Sequence, residues 1–316
     1  MEELRKNLDE MTVSERKEYY EALREKCFNL EHKQLDIGQG IIKKVYPLLR
    51  NYKIEVQGEE NVPKYRNVLF VANHSNSHDA FTAYETFSLL GRNGSEMVGS
   101  DCLVPATRKI FDISDATLLD RYSKEECKNA ANIMAHKLLN GKNGWIYGES
   151  TWNLHPTLPM HNIKNGAVKI SLISEVPVVP VIVEYVENEG IIKSESKLIN
   201  KCIIRFGKPM YFNYTDSLPV QSKRITDEMT RMRKELWKEL GIKRDSLDDI
   251  DKLEYLNHTY IKKFKALGFT YDSEKEEKFL LYLNGEPREN EYTLNEEGLF
   301  IPGITKKDSK IRKLFK

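Results

Sequence analysis

The chain has 316 residues, 40% of them apolar and 31% charged, and a formal net charge of +1. That length suits one large domain or two small ones, and the near-zero charge supplies no global field for nucleic acid. Its four cysteines, Cys27, Cys102, Cys127 and Cys202, are far apart and form no metal-type pairs, which points to a reducing compartment.

The start, Met1 to Lys6, is charged and lacks the apolar core of a signal peptide. Thr12 with Glu15 reads as a capping box opening a helix, with Tyr20, Leu23, Cys27 and Leu30 along one face. A second helix is predicted from Ile37 to about Asn51, with Ile41, Ile42, Val45, Leu48 and Leu49 beside Lys43, Lys44 and Arg50. Pro47 predicts a kink or break there. Apolar residues beside a basic cluster suit a membrane surface, although simple packing on the domain explains the same pattern.

From Tyr52 to Gly207 strands and helices alternate. The predicted strands are Lys53–Gln57, Val68–Ala72, Glu96–Gly99, Ala116–Leu119, Gly144–Tyr147, Val178–Glu184 and Cys202–Phe206. Ser123 with Glu126 opens a helix to about Leu139, and Gly141 ends it. The alternation predicts an α/β fold, a largely parallel mixed sheet flanked by helices. Ser222 to Leu240 reads as an amphipathic helix, with Ile225, Met229, Met232, Leu236 and Leu240 on one side. The expected division is an N-terminal helical segment over 1–51, a main domain over 52–245, and a small helical appendage with a basic tail over 246–316. The longest apolar stretch, Val176 to Val183, holds two prolines and is far shorter than the roughly 20 residues of a membrane span. The expectation is a cytoplasmic protein, with peripheral attachment to the inner face of the membrane left open.

Chemistry concentrates where the second predicted strand ends. Val68 to Ala72 runs into Asn73-His74-Ser75-Asn76-Ser77-His78-Asp79, and a helical pattern follows through Phe81, Tyr84, Phe87 and Leu90. Residues five apart point about 140° from each other on a helix and to opposite faces on a strand. His74 and Asp79 therefore pair only across a turn, which Ser75-Asn76-Ser77 supplies. A carboxylate on one imidazole nitrogen fixes the tautomer and raises basicity at the other, as a general base requires. Ligands in open α/β sheets bind at the carboxyl ends of strands, where His74, Asp120-Arg121 and Glu149 are all predicted to lie.

Four segments together resemble the glycerolipid acyltransferase family, which includes the 1-acyl-glycerol-3-phosphate acyltransferases. The first is Asn73-His74 with Asp79, and the second is Asp120-Arg121 after apolar residues. The third is Gly148-Glu149-Ser150-Thr151-Trp152, where the family pattern is proline-glutamate-glycine-threonine-arginine, so the glutamate and threonine match. The fourth is Val176-Pro177-Val178-Val179-Pro180, a full match to a valine-proline-apolar-apolar-proline block. Ile203 to Pro209 also looks like a late strand of that family, and the resemblance spans roughly Ile41 to Leu240.

The resemblance implies transfer of a fatty acyl group to a lipid hydroxyl, with a place in phospholipid biosynthesis. The donor would be acyl-coenzyme A or acyl carrier protein, used as a substrate, and the acceptor a lysophospholipid or other lipid. His74 would be the base and Asp79 its orienter, with backbone N–H groups of the turn stabilising the oxyanion. Asn73, Asp120, Arg121, Glu149, Ser150, Thr151 and Trp152 would bind substrate. No cofactor, metal or nucleic acid is expected.

Two departures bear on the acceptor. Trp152 stands where the family carries an arginine, and Met97 to Asp101 offers no lysine where family members often have one. An indole cannot pair with a phosphate dianion, which leaves Arg121, with Arg108 or Lys109 as substitutes. The acceptor is then expected to be something other than lysophosphatidic acid, or to be held differently. Three other readings compete. One is a metal hydrolase using His74, His78 and Asp79; another is a serine hydrolase using Ser150, against which Trp152 occupies a position that needs glycine. The third is a lapsed acyltransferase fold that binds lipid or carrier protein. His155 and His161 are read as flanking a loop with Pro156 and Pro159.

Overall fold

The computed structural model describes residues 8–32, 37–50, 52–75, 79–99, 111–120, 123–150, 153, 157–187, 199–242, 270–271 and 304–305. Helix α1 spans Val13–Phe28 and opens on the expected capping box: Thr12 Oγ1 accepts from Glu15 N–H and Thr12 N–H donates to the Glu15 carboxylate. Helix α2 spans Ile37–Leu49 and passes through Pro47 rather than breaking at it. The proline lies in the last turn, and Arg50 N–H still reaches Tyr46 O at 3.1 Å.

The strands are β1 (Lys53–Gln57), β2 (Leu69–Ala72), β3 (Gly94–Gly99), β4 (Thr117–Leu119), β5 (Asn143–Tyr147), β6 (Val178–Glu187) and β7 (Ile199–Phe206). Between them lie helices α3 (Asp79–Leu89), α4 (Lys124–Leu139) and α5 (Gly166–Ser174), and α6 (Leu218–Glu239) follows β7. The seven strands form one sheet in the order β1-β7-β6-β2-β5-β3-β4. All neighbours run parallel except β6 and β7, so β1 and β7 point opposite to the other five. The fold is thus mixed α/β, and one edge carries the carboxyl ends of β2, β3, β4, β5 and β6. Helix α6 starts four residues before the expected Ser222, with Ser217 at its N-cap position and Pro219 suited to a first helical turn. The appendage and tail expected after residue 246 lie outside the described residues, apart from two short strands, Thr270–Tyr271 and Ile304–Thr305, paired antiparallel.

Alternating strand residues divide the core in two. Phe70, Trp145, Val181, Val183 and Ile204 pack on one face with Ile42 of α2 and Tyr84 and Phe87 of α3. Leu69, Val71, Ile146, Ile182 and Ile203 pack on the other with residues of α1, α4, α5 and α6. A buried ion pair joins α6 to β6: Arg233 Nε donates to Glu184 Oε2 at 2.9 Å, and its Nη1 donates to Pro159 O at 2.8 Å. Removing one partner would leave a buried uncompensated charge. Arg233→Met is expected to cost about 3–5 kcal/mol, and Glu184→Leu with Arg233→Met to recover most of it, as measured by urea unfolding.

Candidate active site

His74 lies two residues beyond β2 and Asp79 opens α3, so the polar cluster sits where a strand turns into a helix. His74 Nδ1 is 2.8 Å from Asp79 Oδ2, which also accepts from Ser75 N–H at 2.9 Å. Asp79 Oδ1 accepts from the Tyr185 hydroxyl at 2.9 Å. The Asp79 side chain has 0% exposure and the His74 side chain 22%, so the pair has a buried end and an open end. The helix N-terminus adds favourable potential for the carboxylate. The imidazole lies against the Tyr147 ring, with centroids 4.3 Å apart and planes at 21°. Tyr147 Oη also donates to the main-chain oxygen of Asp79.

Strand β5 lies beside β2, which brings Glu149 to His74. Glu149 is 1% exposed; its Oε1 accepts from His74 N–H at 2.9 Å and its Oε2 from His161 N–H at 2.7 Å. Its side chain therefore ties the turn after β2 to the chain around His161. Burial pushes the Glu149 carboxyl up to about 7, against the opposing pull of those two amide bonds. Gly148 allows the close approach, because a Cβ there would meet Ile163 Cδ1 at 2.7 Å and Val71 Cγ1 at 2.8 Å.

The other expected site residues are placed differently. Asn73 is buried and bridges β2 to β6, donating to Val183 O at 2.9 Å and accepting from Val183 N–H at 2.7 Å. Asp120 follows β4 at the far edge of the sheet, with β5 and β3 between it and β2. At a strand spacing of about 4.8 Å, β4 stands roughly 14 Å from β2. The Asp120 main-chain oxygen accepts from Ser123 N–H at 3.3 Å where α4 begins. Ser150 takes a positive φ of 59°, so the turn after β5 is sharp despite Trp152. Arg121, Thr151, Trp152, His78, Arg108, Lys109 and His155 lie outside the described residues. The oxyanion expectation is narrowed as well: the His74 and Ser75 amides are already engaged by Glu149 and Asp79. Sequence reasoning missed Tyr147 and Tyr185. Their signal was a polar-tipped aromatic in a buried strand, whose hydroxyl must find a partner.

Residues 53–184 match the family model described as Acyltransferase. This segment is similar to the acyltransferase family. The matched segment contains His74, Asp79, Glu149, Tyr147 and most of β6. Among solved structures, the chain is similar to the 1-acyl-sn-glycerophosphate (LPA) acyltransferase PlsC from Thermotoga maritima, at 18% identity and a TM-score of 0.45, covering 68% of this chain and 88% of that one. None of the curated proteins compared with the chain matches it.

The raised Glu149 carboxyl gives a pH-dependent contribution to stability with a definite sign. The folded state keeps this proton up to about 7, whereas the group's ordinary value is 4.5. Its contribution is therefore present at low pH and is lost as pH rises through that window, on the order of 3 kcal/mol at most. In Glu149→Gln the decline in unfolding free energy between pH 5 and 7 is expected to be shallower than in the wild type. Parallel curves for the two proteins would count against the assignment.

Proposed function

We propose that the chain moves a fatty acyl group from an acyl thioester, on coenzyme A or acyl carrier protein, to a hydroxyl of a lysophospholipid-type acceptor. The observation that carries this reading is the 2.8 Å contact between His74 Nδ1 and Asp79 Oδ2, at the carboxyl edge of the sheet in a segment similar to the acyltransferase family. With Nδ1 engaged by the carboxylate, Nε2 of the imidazole takes the proton of the acceptor hydroxyl. The hydroxyl oxygen then bonds to the thioester carbonyl carbon, the carbon–sulfur bond breaks, and the imidazolium returns the proton to the thiolate. A thiolate leaves readily, so no covalent acyl-enzyme is needed.

The departure at Trp152 supports an acceptor other than lysophosphatidic acid, or one whose phosphate is held by another group. Transfer from palmitoyl-coenzyme A and palmitoyl-carrier protein to lysophosphatidic acid, neutral lysolipids, glycolipids and amines tests both points. His74→Ala is expected to lower turnover at least about 100-fold. A low KM for lysophosphatidic acid, lost in Arg121→Ala alone, would sink the acceptor argument. No thioester consumption by folded protein would favour the lapsed, lipid-binding reading.

The proposal places the protein peripherally on a membrane, at its inner face. No helix among the described residues is long and apolar enough to cross one. Helix α2 exposes Ile37, Ile41, Val45 and Leu48 along one side, next to the exposed Lys44, while Ile42 faces the core. Ile41→Asp with Leu48→Asp is expected to abolish co-sedimentation with anionic vesicles while leaving thermal unfolding unchanged. Vesicle binding equal to the wild type would remove α2 from this role.

A further inference from the structure

We propose that Tyr185 is a positioning residue for the transfer reaction: its hydroxyl fixes which oxygen of Asp79 faces His74, so that the imidazole carries its proton on Nδ1 and presents Nε2 to the acceptor. This rests on the acyltransferase reading, but its geometry stands apart from any substrate. Tyr185 Oη lies 2.9 Å from Asp79 Oδ1 and 2.8 Å from Thr82 Oγ1. A phenol has one proton to give, and an ionised carboxylate can only accept. The Tyr185 proton therefore goes to Asp79, and the Thr82 hydroxyl donates to Tyr185. Thr82 lies three residues beyond Asp79, on the same face of α3. Tyr185 comes from β6, which takes no part in the turn.

Asp79 is thus gripped from two directions. Its Oδ2 is held by the turn through Ser75 N–H, and its Oδ1 by a strand on the far side of β2. Any rotation of the carboxylate that frees Oδ2 from His74 also breaks the Tyr185 bond in a site with no exposed carboxylate surface. The Tyr185 ring has a separate packing role, standing edge-on to Tyr52 with centroids 5.8 Å apart. Tyr185→Phe keeps that ring and removes the hydroxyl alone.

Among the described residues, the other titratable groups acting on the pair include Tyr147 from β5, Glu149 just beyond it, Glu96 from β3, Tyr46 from α2 and Cys202 from β7. Burial raises Glu96, Tyr147, Tyr46 and Cys202. Burial raises the Glu149 carboxyl to about 7, so wild type and variant must be compared by difference. Removing the Tyr185 hydroxyl withdraws a positive hydrogen end from beside the carboxylate. Asp79 then acts more strongly on the imidazolium, and His74 holds its proton to higher pH.

The test is an NMR titration of the His74 Cε1–H resonance, identified by its loss in His74→Gln, in wild type and Tyr185→Phe. The variant midpoint is expected to rise by about half a pH unit or more. The acid limb of kcat should move the same way, with kcat at neutral pH lower by about tenfold and KM for both substrates unchanged. A midpoint that superimposes on the wild type, or moves to lower pH, overturns the proposal. If Tyr185→Phe does not fold, Thr82→Val removes the donor behind Tyr185 and should give a smaller shift of the same sign. No shift there overturns the proposal equally. If the wild type transfers no acyl group at all, the acyltransferase reading fails, while the titration, which needs no substrate, still decides the positioning role.

Discussion

A carboxylate with no exposed surface must be supplied with hydrogen-bond donors or give up its charge. Asp79 is such a group, and among the described residues its donors include the imidazole and the Ser75 amide in the turn and the Tyr185 hydroxyl on β6. Meeting that demand fixes much else. Strand β2 must lie between β6 and β5, so that Tyr185 reaches Asp79 from one side while Tyr147 lies against the imidazole from the other. His74 and Asp79 must meet five residues apart, with Asp79 at the start of α3. The geometry of the pair follows from making an anion tolerable inside the protein.

Glu149 is a second buried carboxylate. It accepts two backbone amides, and among the described residues no side-chain cation donates to it. Desolvation therefore raises its carboxyl to about 7. Glu149 also joins the site to a longer chain of supports. His161 N–H reaches it, Lys164 N–H reaches Gly148 O, Ile163 N–H reaches Thr226, and Pro159 O is held by Arg233. The loop around the imidazole is braced from α6 across the body of the protein.

The local features were readable from sequence. Lys53–Gln57 forms the expected strand, and the Thr12 and Ser123 caps form because each needs only residues three apart. The pairing of His74 with Asp79 was legible for the same reason, since the eight residues from Ala72 to Asp79 run from the strand end to the helix start. The reversal of β7 was not legible, because a strand's alternation is the same read in either direction. The separation of Asp120 from His74 depends on strand order, which no local pattern encodes. Tyr185 was visible as a strand residue, but its partner lies 106 positions away and is selected by the fold.

The segment that matches the acyltransferase family begins at β1 and ends at Glu184, yet neither end is complete within it. Among the described residues the one sheet neighbour of β1 is β7, and the guanidinium that offsets Glu184 belongs to α6. During synthesis, the imidazole and both carboxylates of the site leave the ribosome well before those partners. Until β7 and α6 emerge, β6 has an unpaired edge and Glu184 must remain in water. The chemistry-bearing residues are thus made early and their scaffold late, and the site can set only once the chain has been extended past residue 233.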